Sequence, residues 1–261
     1  MVFLLLWVIG SADSFGQGNA AGSVFQPGEE LAYNVTYAGI NLGQIRLRMT
    51  DTVAPDGTPV FRARALIDSY KSVPFVELHT VYESRIAPEG YSEWFLSRTK
   101  RDDRWVVYTY HFDYQDRQLR LEQTDNRSAD VLRRDTLKLD TLTQDGLSVL
   151  YCARKFLQPG ADIRFPAVVS EKKGYAKISV AQSREHETID AIDYPVRLIH
   201  FTGKASFVGV YGFTGEFEGW FSDDSARVPV IAKLNVVIGS IRLELMKWKR
   251  TGWVPPRYTE E

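Results

Sequence analysis

Several groups of residues in this 261-residue chain carry side chains at spacings that chemistry could use. Asp145 and Arg154 fall in one helical stretch and could form an acid–base pair. Nine residues of helix rise about 13.5 Å, so the two cannot touch. An N-cap acid and a cation serving the C-terminal end of the helix dipole account for them better. Asp223, Asp224 and Arg227 follow an aromatic strand and could hold a charged ligand, although a turn closed by a salt bridge needs the same residues. Glu216 and Glu218 would share one strand face and could imitate a glycosidase pair, but two-residue spacing is also that of a solvated face. Cys152, the only cysteine, sits between Tyr151 and Ala153 and reads as a small buried hydrophobe rather than a nucleophile. His79, His111, His186 and His200 are scattered without ligand spacing, so no metal site is expected. Gly212 to Gly219 lacks a following helix and a Lys-Ser/Thr pair, and no Gly-x-Ser-x-Gly elbow occurs. No catalytic residue and no cofactor is assigned.

The elements that must position these groups are mostly strands. Thr141 to Gly160 is the exception and predicts a helix over about residues 143–157. Leu147, Leu150, Tyr151 and Leu157 recur at helical spacing, Asp145 stands at the start, and Pro159-Gly160 stops it. Elsewhere apolar residues alternate with period two: Leu31, Tyr33, Val35 and Tyr37, then Ile45, Leu47 and Met49, then Phe61 to Ile67. Further strands are predicted at 78–86, 94–96, 105–114, 119–121, 163–169, 175–181 and 196–201. Glycines 209, 212, 215 and 219 among aromatics predict a bent strand, and a hairpin about Gly239-Ser240 closes the series. Residues 124–140 are charged and read as an exposed connection into the helix. The expected fold is mainly β: curved antiparallel sheets forming an open or partial barrel, two subsheets folded over one helix. One domain would span residues 24–250, with a loosely held polar tail at 251–261.

Composition narrows the setting. A formal charge of −1 leaves no electrostatic footprint for nucleic acid, and 44% hydrophobic residues suffice for a core. Val2 to Gly10 is apolar but short of the roughly 20 residues a membrane span needs. Small polar residues follow it, so residues 1–23 read as a cleavable signal peptide, placing the mature chain in the periplasm or outside the cell. No cysteine near the cleavage region supports a lipoprotein anchor, and no transmembrane span is expected after cleavage. A single cysteine allows no internal disulfide, so packing must supply the stability.

Three motifs in order resemble the domain of unknown function 3108 family of exported bacterial envelope proteins. The first is Phe25, Pro27, Gly28, Glu29, Leu31 and Tyr33, followed by Gly43. The second is Asp145, Leu147, Ser148, Tyr151 and Arg154. The third is Trp220, Phe221, Asp224, Arg227, Pro229 and Val230, then Gly239, Ile241, Leu243 and Leu245. The resemblance implies a β-rich envelope domain and no known catalytic residues. Among the motif residues, Tyr151, Arg154, Trp220, Asp224 and Arg227 are the candidate ligand contacts. Three functions stay open, in this order: a non-enzymatic binder of an apolar ligand such as lipid, a protein-interaction or assembly module of the envelope, and an enzyme acting on envelope polysaccharide.

Overall fold

The computed structural model describes residues 24–54, 56–73, 77–206 and 213–260. The expected signal peptide lies outside them, as do residues 207–212 of the glycine-rich stretch expected to be a bent strand. Among the described residues the chain forms fourteen strands and one α-helix. The strands are β1 (Glu30–Tyr37), β2 (Ile40–Val53), β3 (Pro59–Ser69), β4 (His79–Ile86), β5 (Ser92–Arg101), β6 (Arg104–Asp113), β7 (Gln118–Asp125) and β8 (Ser128–Lys138). The helix α1 (Ser148–Phe156) follows. Then come β9 (Asp162–Val169), β10 (Lys172–Ile189), β11 (Ile192–Ala205), β12 (Phe213–Ser222), β13 (Pro229–Val236) and β14 (Ser240–Lys249).

All fourteen strands join one antiparallel sheet in the order β8-β7-β6-β5-β4-β3-β2-β1-β14-β13-β12-β11-β10-β9. The expected two subsheets are therefore two wings of a single sheet. The seam is the pairing of the first strand with the last, Glu30 opposite Lys249 through Tyr37 opposite Ile241. Such a long-range pairing leaves no local sequence signal. The sheet does not close into a barrel, since β8 and β9 are its edges. α1 connects those two edges across the concave side.

The edges approach each other without pairing. Gln144 N donates to Pro166 O and Val168 N to Gln144 O, both at 2.8 Å, so the lead-in to α1 covers part of the β9 edge. Lys173 Nζ reaches Lys138 O at 2.9 Å and Asp140 at 2.6 Å, tying the β9–β10 turn to the end of β8. The charged stretch 124–140, expected to be a connection, is the end of β7 and the edge strand β8. Charged side chains on an edge discourage pairing with other chains and blur the apolar alternation that marks a strand. For the same reason the charged run after Ala181 extends β10 to Ile189.

α1 packs between the wings. Cys152, Ala153 and Leu157 lie against Phe165, Ile178, Val180, Ile199, Phe201 and Phe221. Leu147 and Tyr151 belong to the cluster of Leu31, Tyr33, Leu47, Met49 and Leu245. Each such side chain, fully buried, contributes about 1.5–3 kcal/mol of hydrophobic stabilisation. Phe156, beside the apolar face, stays exposed.

Glycines let the strands crowd. Gly203 pairs with Phe217, and Gly219 with Phe201. In each pair the ring lies over the glycine, where a Cβ would stand 2.2 Å and 2.5 Å from ring carbons. The tail, expected to be loose, is docked instead. Arg197 N donates to Pro256 O at 2.8 Å, Tyr258 N to Pro195 O at 2.9 Å, and Tyr258 stacks on His186. Its prolines suit an added edge segment that needs few donors.

Gly43 faces the tightest backbone contact, with a Cβ placed 2.2 Å from Asp68 O. Gly43→Ala must push β2 and β3 apart, and the expected loss is about 1–3 kcal/mol. Urea unfolding followed by tryptophan fluorescence measures it; an unchanged midpoint would show that the strands yield freely.

Candidate functional site

Two features compete for the role of functional site: a buried charged node and an open cavity. The node gathers segments distant in sequence. Arg154 Nη1 and Nη2 donate to Glu29 Oε1 at 2.7 Å and Oε2 at 2.9 Å. Two further donors go to Arg227 O at 3.0 Å and Ala226 O at 3.1 Å. Arg250 Nη1 donates to Glu29 Oε2. The Arg154 and Arg250 side chains are 0% exposed and that of Glu29 1%, so these charges are withdrawn from bulk solvent. Burial pushes the Glu29 carboxyl up, but the charges and hydrogen bonds of Arg154 and Arg250 outweigh it and hold the group below its ordinary value.

Beside the node, Asp224 closes the turn after β12. Its Oδ1 accepts from Ser222 Oγ, Ala226 N and Arg227 N, and its Oδ2 from Trp253 Nε1 at 2.8 Å. Arg227 pairs with Asp223 at 3.4 Å, which is the turn with a salt bridge that the sequence suggested. The helix is shorter than the expected 143–157, and Asp145 caps the turn leading into it rather than the N-cap position, which is Leu147: Oδ1 accepts from Leu147 N at 2.7 Å and Ser148 N at 2.8 Å. Ser84 and Ser92 hydroxyls also donate to it, so the cap is fixed to β4 and β5. Burial is the largest influence on Asp145 and leaves its carboxyl above the ordinary aspartate range despite those hydrogen bonds. Arg154, expected to serve the helix dipole, spends its donors on Glu29 and two carbonyls instead. Glu29 was legible only as a motif residue, and Arg250 carried no sequence signal.

The cavity lies at the other end of the concave face. Near α1 the inner residues Leu31, Tyr33, Leu47, Met49, Ala63, Ala65 and Leu245 are buried. Further along the same strands, Val35, Ile45, Ile67, Ile241 and Leu243 are only half-buried. These and Tyr82, Phe95, Phe213 and Leu234 line a half-open space of about 610 Å³, with Gly146 and Val149 as its floor. Of the candidate ligand contacts, Tyr151, Arg154, Asp224 and Arg227 meet around the node. Trp220 lies elsewhere, stacked on His200 with its Nε1 donating to Glu185 at 2.8 Å. None of the five lines the cavity.

The remaining chemical candidates have structural partners. Glu218 binds Lys233 at 2.9 Å and His200 at 3.3 Å, and Glu216 lies 3.8 Å from Lys204. Burial pushes the Cys152 thiol up to about 12. Among the described residues no cluster of three His, Cys, Asp or Glu side chains could hold a metal, and no helix is long and apolar enough to cross a membrane.

An open, single-sheet β-barrel-like fold plugged by one helix, with an apolar hollow at the other end, defines the structural class. The chain belongs to the family described as protein of unknown function DUF3108, whose model matches residues 32–246. Among solved structures it is similar to a beta-barrel-like protein of domain of unknown function DUF1849 from Brucella abortus. The TM-score is 0.54 at 11% identity, covering 85% of this chain and 97% of that one. That likeness is one of fold. No curated protein matches the chain.

Two outcomes test these assignments. Glu29→Gln leaves two guanidiniums buried without their counter-charge and is expected to cost about 3–5 kcal/mol at neutral pH. Because the folded-state value of Glu29 is lowered, its stabilisation is present above the unfolded value and lost as pH falls through the folded one. Denaturant midpoints collected from pH 7 to pH 2 should therefore fall less steeply for the variant than for the wild type. Cys152 should react with a thiol reagent only after unfolding; rapid modification of the native protein would overturn its burial.

Proposed function

We propose that this protein is an exported, non-enzymatic binder of an apolar ligand such as a lipid, acting in the periplasm. The observation that carries the reading is the half-open interior of about 610 Å³. Its volume falls within the roughly 300–1,000 Å³ of small-molecule sites, and its walls are mainly aliphatic and aromatic. A flexible hydrocarbon chain fits it because each buried methylene contributes about 0.8 kcal/mol and no directional partner is needed.

The polysaccharide enzyme draws less support: Glu216 and Glu218 line a second, more open hollow of about 470 Å³, but Lys204, Lys233 and His200 engage them there. The assembly module has one observation in its favour, the open β8 edge with exposed Leu132. Arg133, Arg134 and Asp135 on that strand work against indiscriminate pairing.

Native mass spectrometry of protein purified from its own periplasm, followed by solvent extraction, tests the proposal. N-terminal sequencing of the same sample checks removal of about 23 residues. A stoichiometric lipid is expected. In parallel, the neutral dye N-phenyl-1-naphthylamine should bind the emptied protein, and Leu243→Arg should weaken it by about tenfold or more, 1.4 kcal/mol. The variant's thermal midpoint should stay within a few degrees, since Leu243 is only half-buried. A clean apo mass with no dye binding would sink the proposal and turn attention to the β8 edge.

A further inference from the structure

The cavity walls differ in chemistry. The wall from β13 and β14 is apolar throughout, with Leu234, Val236, Ile241 and Leu243. The facing wall is graded along β5. Every second residue of that strand lines the space: Phe95, Ser97, Thr99 and Arg101 in turn. Phe95 is buried, Ser97 and Thr99 are half-buried, and Arg101 is exposed at the end of the strand. Neighbouring strands match the gradient: Tyr82 and Tyr108 stand opposite Ser97, and Thr80 opposite Thr99, their hydroxyls 3.2 Å apart.

Arg101 is the only cation among the described residues that line the cavity. The two acidic residues of the lining have partners, Asp68 outside the cavity and Glu171 within its wall, at Tyr110. Asp68 holds Arg46 at 3.1 Å and also His79, and Glu171 meets the hydroxyl of Tyr110. Among the described residues the Arg101 guanidinium has no carboxylate partner of its own, in contrast to Arg46, Arg62 and Arg120.

A chain seated on Val149 at the floor and leaving past Ser97 and Thr99 would bring its terminus to that guanidinium. Arginine presents planar donors that suit a carboxylate or a phosphate. We infer that the ligand is a single-chain amphiphile whose hydrocarbon tail fills the cavity and whose anionic head group is held at the mouth by Arg101. This rests on the apolar-ligand reading and specifies its substrate class. The recognised chemistry is an acid on an alkyl chain, a carboxylate or a phosphate monoester.

Competition against bound N-phenyl-1-naphthylamine separates the two levels. Dodecanoate, dodecyl phosphate and neutral 1-dodecanol are titrated at pH 8 and 0.1 M salt, below their micellar or solubility limits. The two acids are expected to compete about tenfold better than the alcohol. Arg101→Gln should remove that preference by weakening the acids while leaving the alcohol and the dye unchanged. Preference for one acid over the other identifies the head group. Equal competition by acids and alcohol in the wild type, or a preference that survives Arg101→Gln, overturns the anionic head group while the apolar cavity stands. Failure of the dye and of all three competitors to bind removes the cavity reading and this inference with it.

Discussion

Glu29 is a carboxylate enclosed with two guanidiniums away from bulk solvent, and the remainder of the structure is arranged so that this can be tolerated. Removing such ions from solvent costs several kcal/mol each, and the cost is met only when the donors and acceptors are well paired. Here the chelate between Arg154 and Glu29 uses both carboxylate oxygens, and carbonyls 226 and 227 take further donors of Arg154. The charges belong to the lead-in to β1, the last turn of α1 and the residue after β14. Satisfying them requires that the first strand, the last strand, the helix and the turn after β12 be in place together. A slip of one residue in the β1–β14 seam would leave a buried charge without its partner, which an apolar contact in the same place would not penalise so sharply.

That requirement fixes one end of the molecule and leaves the other free. The Asp145 cap ties α1 to β4 and β5 through Ser84 and Ser92, and the Gln144 bridges tie its lead-in to β9. Both wings are thus held at the helix end. Beyond it no further element among the described residues packs on the inner strand faces, and their apolar residues pass from buried to half-buried along each strand.

Much of this was legible in the sequence, and the gaps have physical causes. Period-two alternation located most of the strands because their inner faces are buried and their outer faces polar. It failed at β8 and at the extension of β10, where charges sit on both faces and Arg133, Arg134, Arg184 and Glu185 hide the alternation. The helix was visible from Leu147, Tyr151 and Leu157 together with the Asp145 cap. What could not be read was which charges meet. Glu29 and Arg154 are separated by 125 residues and Glu29 and Arg250 by 221, and nothing local in any of the three announces a partner. The motif residues Tyr151, Arg154, Asp224 and Arg227 were visible as a set, but a ligand site and a structural node draw on the same residue types. Only the geometry separates them. The cavity residues gave no signal at all, since Ile67 or Leu243 on a strand reads the same whether it packs on a helix or faces a hollow.

The hollow itself follows from a mismatch of lengths. A nine-residue helix extends about 13.5 Å, whereas strands of eight to eighteen residues extend about 26–59 Å. One short helix across a sheet of such strands can fill only part of the concave face, and Pro159-Gly160 prevents it from growing. The inner alternation of β1, β2, β3 and β14 continues past the end of the plug, so the same pattern that builds the core also lines the space with apolar side chains. A core pattern carried beyond its packing partner leaves apolar surface unpaired, and the free energy of covering that surface is what a ligand would supply.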